Sequence, residues 1–224
     1  MLSVAIVGPG LVGSALIAQL TQQTRWPVSI VAVANSSRTL LSETSVDSAT
    51  WQSQLAGSSP LPIEAVVAHL ESRLPAVLID CTSSKAIAEL YPHVLSRGIS
   101  VATPSKKAFS GDLALWESLR PFFTYTSPAR GIVAHESSVG AGLPVISTLA
   151  ALVGTGDRVA RIEGVFSGTL SYLFNTFSPS EADGDKAASP FSEIVKGAKA
   201  MGYTVSLPLL PAARHSPKLI HRHP

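Results

Sequence analysis

The segment SVAIVGPGLVGSALIAQL, residues 3–20, constrains this chain more than any other. A β-branched run, Ser3–Gly8, stops at a glycine, and apolar residues resume at helical spacing from Leu11. Between them stands Gly8-x-Gly10-x-x-Gly13. A buried strand that turns straight into a helix through such a loop reads as the first βα unit of a parallel sheet. Gly8 permits the tight turn, Gly10 lets backbone amides approach a pyrophosphate, and Gly13 lets the helix pack closely on the strand. Leu11 and Val12 open that helix, and its unpaired N–H groups and positive partial charge favour phosphate. The motif alone is weak, and a merely structural glycine turn is the competing reading. Its position at the head of an α/β chain is the context that makes it specific.

Strand and helix patterns alternate after this unit. VSIVAVA (28–34), AVLIDCT (76–82), ISVAT (99–103) and GIVA (131–134) read as strands. IEAVVAHLES, KAIAELYPHVLSRG and DLALWESLR read as helices, with a further short helix near Asp47–Leu55. Continuous apolar strands separated by helices predict a doubly wound, Rossmann-type parallel sheet over residues 1–145. A hydrophobic fraction of 46% with only 14% charged residues suits such a sheet. From about residue 146 the pattern changes: a helix led by a glycine-rich turn, a longer strand over Arg158–Gly168, and two more helices. This predicts an incomplete α+β substrate and dimerisation domain over 146–204. Residues 205–224 hold four prolines and no acid, and are expected to form an atypical, disordered tail.

Composition excludes some functions. A net charge of +2 is too small for an electrostatic nucleic-acid footprint. One cysteine, Cys81, excludes an intrachain disulfide and favours the cytoplasm. No apolar run is long enough to predict a membrane span, and MLSVAIVG lacks the features of a signal peptide.

Polar residues cluster where the strands end, the place where open α/β sheets bind ligands. After 28–34 comes NSSR, with no acid between Val33 and Ser42. Asn35, Ser36, Ser37 and Arg38 suit a ribose 2′-phosphate better than a free 2′-hydroxyl, so NADP is expected, with NAD possible. A solvated surface arginine is the plain alternative. DCTSS (80–84), TPSKKAF (103–109) and HESSVGAGLP (135–144) follow the later strands. A lysine at 106 or 107 near a nicotinamide could stabilise charge developing on a carbonyl oxygen, or simply be a solvated charge.

Taken in order, GPGLVGSA, DCTSS, ATPSKKAFSGDLALW, HESSVGAGLPVIS, IEGVFSGTLSYLFNTFS and AKAMGYT make the chain similar to homoserine dehydrogenase, in its short fungal-type form without a kinase domain. Each motif is modest alone; together they are specific, and they run over residues 1–204. The resemblance implies reduction of aspartate 4-semialdehyde to homoserine with NAD(P)H, on the route to threonine and methionine, by a cytoplasmic homodimer. By position it implies that Gly8, Gly10 and Gly13 bind the cofactor pyrophosphate, at the helix start that Leu11 and Val12 open, and that Thr82 and Ser83 flank the nicotinamide ribose. Lys106 would lie between nicotinamide and substrate, as the catalytic residue. Gly168, Thr169 and Tyr203 would bind substrate, and Glu136, Val139, Ala141 and Leu143 a monovalent cation such as sodium. For Glu136 a helix N-terminal charge is the plain alternative.

After Thr204 the family continues with an acid-rich stretch and then a helix bearing an aspartate and a lysine. VSLPLLPAARHSPKLIHRHP has no counterpart to these, and Lys218 is not assigned their role. The resemblance therefore implies a truncated, catalytically impaired chain, whether by frameshift, retained intron or real splice isoform. A non-catalytic nucleotide-binding fragment that pairs with a full-length protomer is the second reading. A semialdehyde dehydrogenase is a third, and it would need a nucleophilic cysteine where this chain has only Cys81.

Overall fold

The computed structural model describes residues 1–124, 130–178 and 189–203. The tail after Tyr203 and most of the expected loop 179–190 lie outside these residues. The described fold is built on a single sheet with six strands in the order β3-β2-β1-β4-β5-β6. They are β1 (Leu2–Val7), β2 (Val28–Ala34), β3 (Thr39–Leu41), β4 (Ala76–Asp80), β5 (Ser100–Ala102) and β6 (Val133–Ala134). All neighbouring pairs are parallel except β2 and β3. The helices of this part are α1 (Leu11–Gln22), α2 (Trp51–Gly57), α3 (Ile63–Glu71), α4 (Lys85–Glu89), α5 (Tyr91–Ser96), α6 (Leu113–Leu119) and α7 (Ile146–Gly154).

Strand alternation divides the core into two layers. Val4 and Ile6 of β1 pack with Ile17 of α1 and with Trp51 and Leu55 of α2. Ala5 and Val7 point the other way, into a cluster with Leu70 of α3, Val94 and Leu95 of α5, and Leu119 of α6. Helices therefore cover both faces, and continuous apolar strands are the result. β2 breaks the alternation once. Its register against β1 jumps from Val4↔Ile30 to Ala5↔Ala32, leaving Val31 as an extra residue. The bulge lets Val31 and Ala32 both join the second layer, while Ile30 and Val33 stay in the first. Fully buried side chains such as Ile6, Leu70, Leu78 and Leu95 each contribute about 1.5–3 kcal/mol.

Three elements differ from the sequence-based expectation. β3 falls in a stretch expected to be polar and irregular; it pairs antiparallel as Ala32↔Leu41 to Ala34↔Thr39 and closes one edge of the sheet. The single helix expected over KAIAELYPHVLSRG is two, α4 and α5, because Pro92 has no N–H to give to the carbonyl one turn back. The strand expected over Arg158–Gly168 is absent: residues 158–167 form no strand, and Val159, Ile162 and Val165 are exposed at 41%, 57% and 71%. A strand exists only by pairing, and among the described residues no strand pairs with this segment.

By contact density the chain divides into two compact units, Met1–Ser167 and Gly168–Pro224. The expected boundary at residue 145 falls inside the first, which also takes in α7. Described residues of the second unit contain α8 (Gly168–Phe177) and α9 (Phe191–Ala200). The two helices share a small core of Leu173, Ile194 and Ala198. Phe191 closes it at the edge, in ring contact with Phe174 and Phe177.

Candidate functional site

Strand order reverses between β1 and β4, since the chain leaves β1 toward β2 and later returns to β1's other side. The carboxyl ends of these two strands therefore diverge around a crevice. Gly8–Gly13 follows β1 there, and Cys81–Ser84 follows β4. The two loops are packed against each other. Gly8 has φ +86°, and a Cβ on it would lie 2.7 Å from Thr82 Cγ2 and 3.0 Å from the Cys81 carbonyl carbon. A Cβ on Gly13 would meet the Gly8 carbonyl oxygen at 2.4 Å. Both positions are closed to any side chain. Gly10 is the opposite case: a Cβ there meets nothing within 4 Å. The turn is held by the Gly10 amide donating to the Gly8 carbonyl at 2.8 Å.

Gly8 and Gly10 line a cleft of about 770 Å³, within the usual range for small-molecule sites. Gly8, Pro9 and Gly10 form one side, Asn35 and Ser36 the end near β2, and Thr82, Ser83 and Ser84 the other side. Leu61, Ile63 and Ile87 supply apolar surface. α1 begins at Leu11 without an acidic residue in its first turn, so no anion of its own first turn competes for the N–H groups of Leu11, Val12 and Gly13 that lie outside the helical ladder. The arrangement can accept a phosphate-bearing ligand laid across the strand ends.

NSSR forms the turn between β2 and β3. Asn35 Oδ1 accepts from the amides of Ser37 at 2.9 Å and Arg38 at 2.7 Å. The Arg38 guanidinium donates to the Ser58 carbonyl and is not among the cleft-lining residues, unlike Asn35 and Ser36.

Beneath the loop after β4 lies a polar cluster that the sequence does not announce. Asp80 is fully buried. Its Oδ1 accepts the Thr82 amide at 2.7 Å and its Oδ2 accepts the Tyr91 hydroxyl at 2.6 Å. Burial, with the Asp80 charge beside it, pushes the Tyr91 phenol well above its ordinary range. Burial likewise pushes the Cys81 thiol up to about 11, again with Asp80 adding to the effect. At neutral pH the thiol is protonated and a poor nucleophile, which disfavours the cysteine-dependent alternative. Asp80 and Thr103 were visible as members of polar clusters; Tyr91 read only as a helical residue, and nothing in the sequence links it to them.

Lys106 follows β5 and is exposed, while Lys107 is half-buried. The Lys106 carbonyl accepts from the amides of Phe109 and Ser110, both at 3.0 Å, so Lys106 begins a turn. Phe109 stacks on His135 at 4.2 Å between centroids, with Phe123 at 5.3 Å from the same imidazole. Desolvation by these neighbours pushes His135 below the usual imidazole value, and Glu136 only partly opposes it. This aromatic packing joins the loops after β5 and β6.

In the turn after β6, Gly140 and Ala141 both have positive φ, +74° and +52°. Glu136 does not point a free carboxylate at this turn. Its Oε1 and Oε2 accept the amides of Ile146 and Ser147 at 2.8 and 2.9 Å, capping α7. Desolvation pushes the carboxyl up, but hydrogen bonds from Ser147, Ile146 and Val145 outweigh it and hold the group below the usual carboxylate value. Val139, Ala141 and Leu143 offer main-chain oxygens only. Among the described residues no group of three or more His, Cys, Asp or Glu side chains could hold a metal ion, so the expected metal site gains no support from side chains. In the second unit, Thr169 Oγ1 donates to the Tyr203 carbonyl at 2.7 Å, bringing two of the three expected substrate residues together beside Gly168.

A Gly8–Gly13 loop at the switch point of a doubly wound sheet, opening on a cleft with space over Gly10, defines a Rossmann-type nucleotide-binding protein. Comparison narrows the class. The family model described as "Homoserine dehydrogenase, NAD binding domain" matches residues 8–124, and that described as "Homoserine dehydrogenase" matches 144–209. The chain belongs to the homoserine dehydrogenase family. It is 46% identical over 212 residues to homoserine dehydrogenase of Saccharomyces cerevisiae, covering 91% of this chain and 56% of that protein. It is 41% identical to the bifunctional aspartokinase/homoserine dehydrogenase 2 of Zea mays, covering 91% of this chain and 22% of that protein. Among solved structures it resembles a Candida auris protein described as of unknown function, with a TM-score of 0.73, 41% identity, and coverage of 90% and 56%. A hyperthermophilic archaeal homoserine dehydrogenase in complex with NADPH shares the fold, with a TM-score of 0.67, 20% identity, and coverage of 91% and 62%. The chain spans little more than half the length of the fungal relatives it matches. Among the described residues no helix is long and apolar enough to cross a membrane.

Proposed function

We propose that this chain carries the cofactor half of an NADP-preferring homoserine dehydrogenase, acting on aspartate 4-semialdehyde and homoserine in threonine and methionine biosynthesis. The observation that carries the reading is the open space over Gly10 between two loops that are otherwise closed against each other. The amides of Leu11, Val12 and Gly13 would hold the pyrophosphate, and Thr82 and Ser83 would flank the nicotinamide ribose. A reduced nicotinamide bound there supplies hydride. Lys106 would hold the substrate carbonyl oxygen and stabilise the negative charge growing on it. Gly168, Thr169 and Tyr203 would contact the substrate. The division of labour is a dinucleotide-binding part over 1–145 and a substrate and dimerisation part over 146–204. A cytoplasmic homodimer is the working assembly.

The proposal extends to a monovalent cation held by main-chain oxygens at Glu136, Val139, Ala141 and Leu143. Carbonyl oxygens are the right donor class for a hard cation, and the consecutive left-handed residues Gly140 and Ala141 turn the backbone sharply between them. The Glu136 side chain would take no part, because it is engaged with α7.

NADP preference rests on the missing acid after β2 and on Arg38, which would leave the Ser58 carbonyl to meet a 2′-phosphate. The test is to titrate the purified chain with NADPH and NADH, wild type and Arg38→Ala. NADPH should bind more tightly, and the substitution should remove most of the difference. Tighter NADH binding, or an unchanged preference in the variant, refutes the assignment. Saturable binding without turnover would favour the nucleotide-binding fragment over the complete enzyme.

A further inference from the structure

The cluster under the cleft ties together two loops that the proposed reaction uses separately. Proton counting makes the tie specific. Tyr91 has one hydroxyl proton, and its shortest contact is to Asp80 Oδ2 at 2.6 Å. Thr103 has one, and its shortest contact is to the Asp80 carbonyl oxygen at 2.7 Å. The 3.2 Å approach of the two hydroxyls to each other is therefore left without a proton of its own. Thr103 Oγ1 keeps its lone pairs for the Ser105 amide, 2.9 Å away. Asp80 spends Oδ1 on the Thr82 amide. The chain of contacts thus runs from Thr82, at the cleft, through Asp80 to both Tyr91 and Thr103, and ends at Ser105, next to Lys106. Asp80, Tyr91 and Thr103 are all buried, and no buried side-chain polar atom among the described residues lacks a partner.

We infer that Asp80, Tyr91 and Thr103 are positioning residues: one buried hydrogen-bonded unit that sets the Thr82 amide at the dinucleotide cleft and the Ser105–Lys106 backbone in register with each other. The inference deepens the proposed function and rests on it for what the two loops do. None of the three needs to touch cofactor or substrate. Tyr91 is the part that can be removed with least disturbance, because Phe preserves the ring and deletes only the oxygen.

Two readouts on the full 224-residue chain test this. The first needs no ligand. In ¹H–¹⁵N spectra, Tyr91→Phe should shift the Thr82 amide, through the Asp80 carboxylate, together with the Ser105 amide, through the lost 3.2 Å contact of the Tyr91 oxygen with Thr103 Oγ1, and leave the β1 amides in place. The second is NADPH affinity, which should fall about tenfold, the scale of one buried hydrogen bond. Val94→Ala, in the same helix but outside the cluster, is the control for stability: it should lower Tm and change the affinity by less than about twofold. If Tyr91→Phe does not fold, Thr103→Val and Thr103→Ser replace it, with the serine restoring both amide positions and affinity and the valine neither. Movement of Thr82 without Ser105 overturns the inference, as does equal loss of affinity in Val94→Ala. If the wild type shows no saturable NADPH binding, the cleft assignment falls, and the amide shifts still decide whether the two loops are tied.

Discussion

At the scale of single residues, the loop after β1 makes opposite demands at two glycines. Gly13 is required by the fold, since its missing Cβ is where the Gly8 carbonyl oxygen sits, 2.4 Å from that position. A Cβ on Gly10 would meet nothing within 4 Å among the described residues. Gly13→Ala should therefore cost about 1–3 kcal/mol of stability, as overpacking against rigid backbone does, and should weaken NADPH binding through the displaced loop. Gly10→Val should abolish saturable NADPH binding while stability stays within about 0.5 kcal/mol of wild type, as for other unpacked positions. Thermal unfolding and cofactor titration on both variants separate the two roles. Full NADPH affinity in Gly10→Val would make the loop a structural turn only. The half-buried Cys81 belongs at this scale too. It lies in ordinary contact distance of a Cβ placed on Gly13, and its raised pKa unfits it for nucleophilic chemistry.

At the scale of elements, helix ends decide how the later loops are placed. α7 begins where the Glu136 carboxylate takes the amides of Ile146 and Ser147. A carboxylate at an N-terminus satisfies orphan donors and complements the helix dipole. The cap comes from ten residues away rather than from the Ncap position, so it also fixes the Gly140–Ala141 turn between cap and helix. Glu136→Gln keeps the shape and one acceptor oxygen and removes the charge. Hydrogen exchange at Ile146 and Ser147 should speed up in this variant, while exchange in β1 and β4 stays unchanged. Unaltered protection at both amides would mean that α7 is held by other contacts. The split of α4 from α5 has a comparable use: it starts a new helix at Tyr91, whose hydroxyl then reaches Asp80.

At the scale of the whole molecule, the two layers around the sheet are complete and the later residues are not covered in the same way. α7 buries none of its residues, and Val159, Ile162 and Val165 are exposed in the segment after it. Exposed apolar side chains in such numbers mark surfaces that associate. The 224-residue chain should therefore self-associate with rising concentration in sedimentation or light scattering. It should reduce aspartate 4-semialdehyde very poorly, because near-attack orientation, worth roughly 7–11 kcal/mol, needs substrate contacts on more than one side. A chimera continuing after Thr204 with the remaining sequence of a fungal relative should be more soluble and active. Robust NADPH-dependent turnover by the monodisperse 224-residue chain would refute this expectation.

The legibility of the chain follows range. β1, the glycine loop and α1 could be read directly because strand alternation, helical spacing and a turn motif are all local, set by neighbours within a few residues. The same holds for the parallel character of the sheet, which continuous apolar strands impose. β3 could not be read, since three residues become a strand only when Ala32–Ala34 offer them an edge. The segment 158–167 failed in the opposite sense: its composition suits a strand, and no described partner makes it one. Site residues behave alike. Gly8, Gly10 and Gly13 announce themselves by spacing, whereas the reason no side chain fits at Gly8 depends on Thr82 and Cys81, which follow another strand. The Asp80–Tyr91–Thr103 unit joins residues from β4, α5 and the end of β5. Sequence alone determined the parallel strands β1, β2, β4, β5 and β6 and where a phosphate-binding turn lies; only the tertiary structure decided the edge strand β3 and which polar groups meet, because edge pairing and hydrogen bonds between distant residues exist only after the sheet has brought its strand ends to one edge.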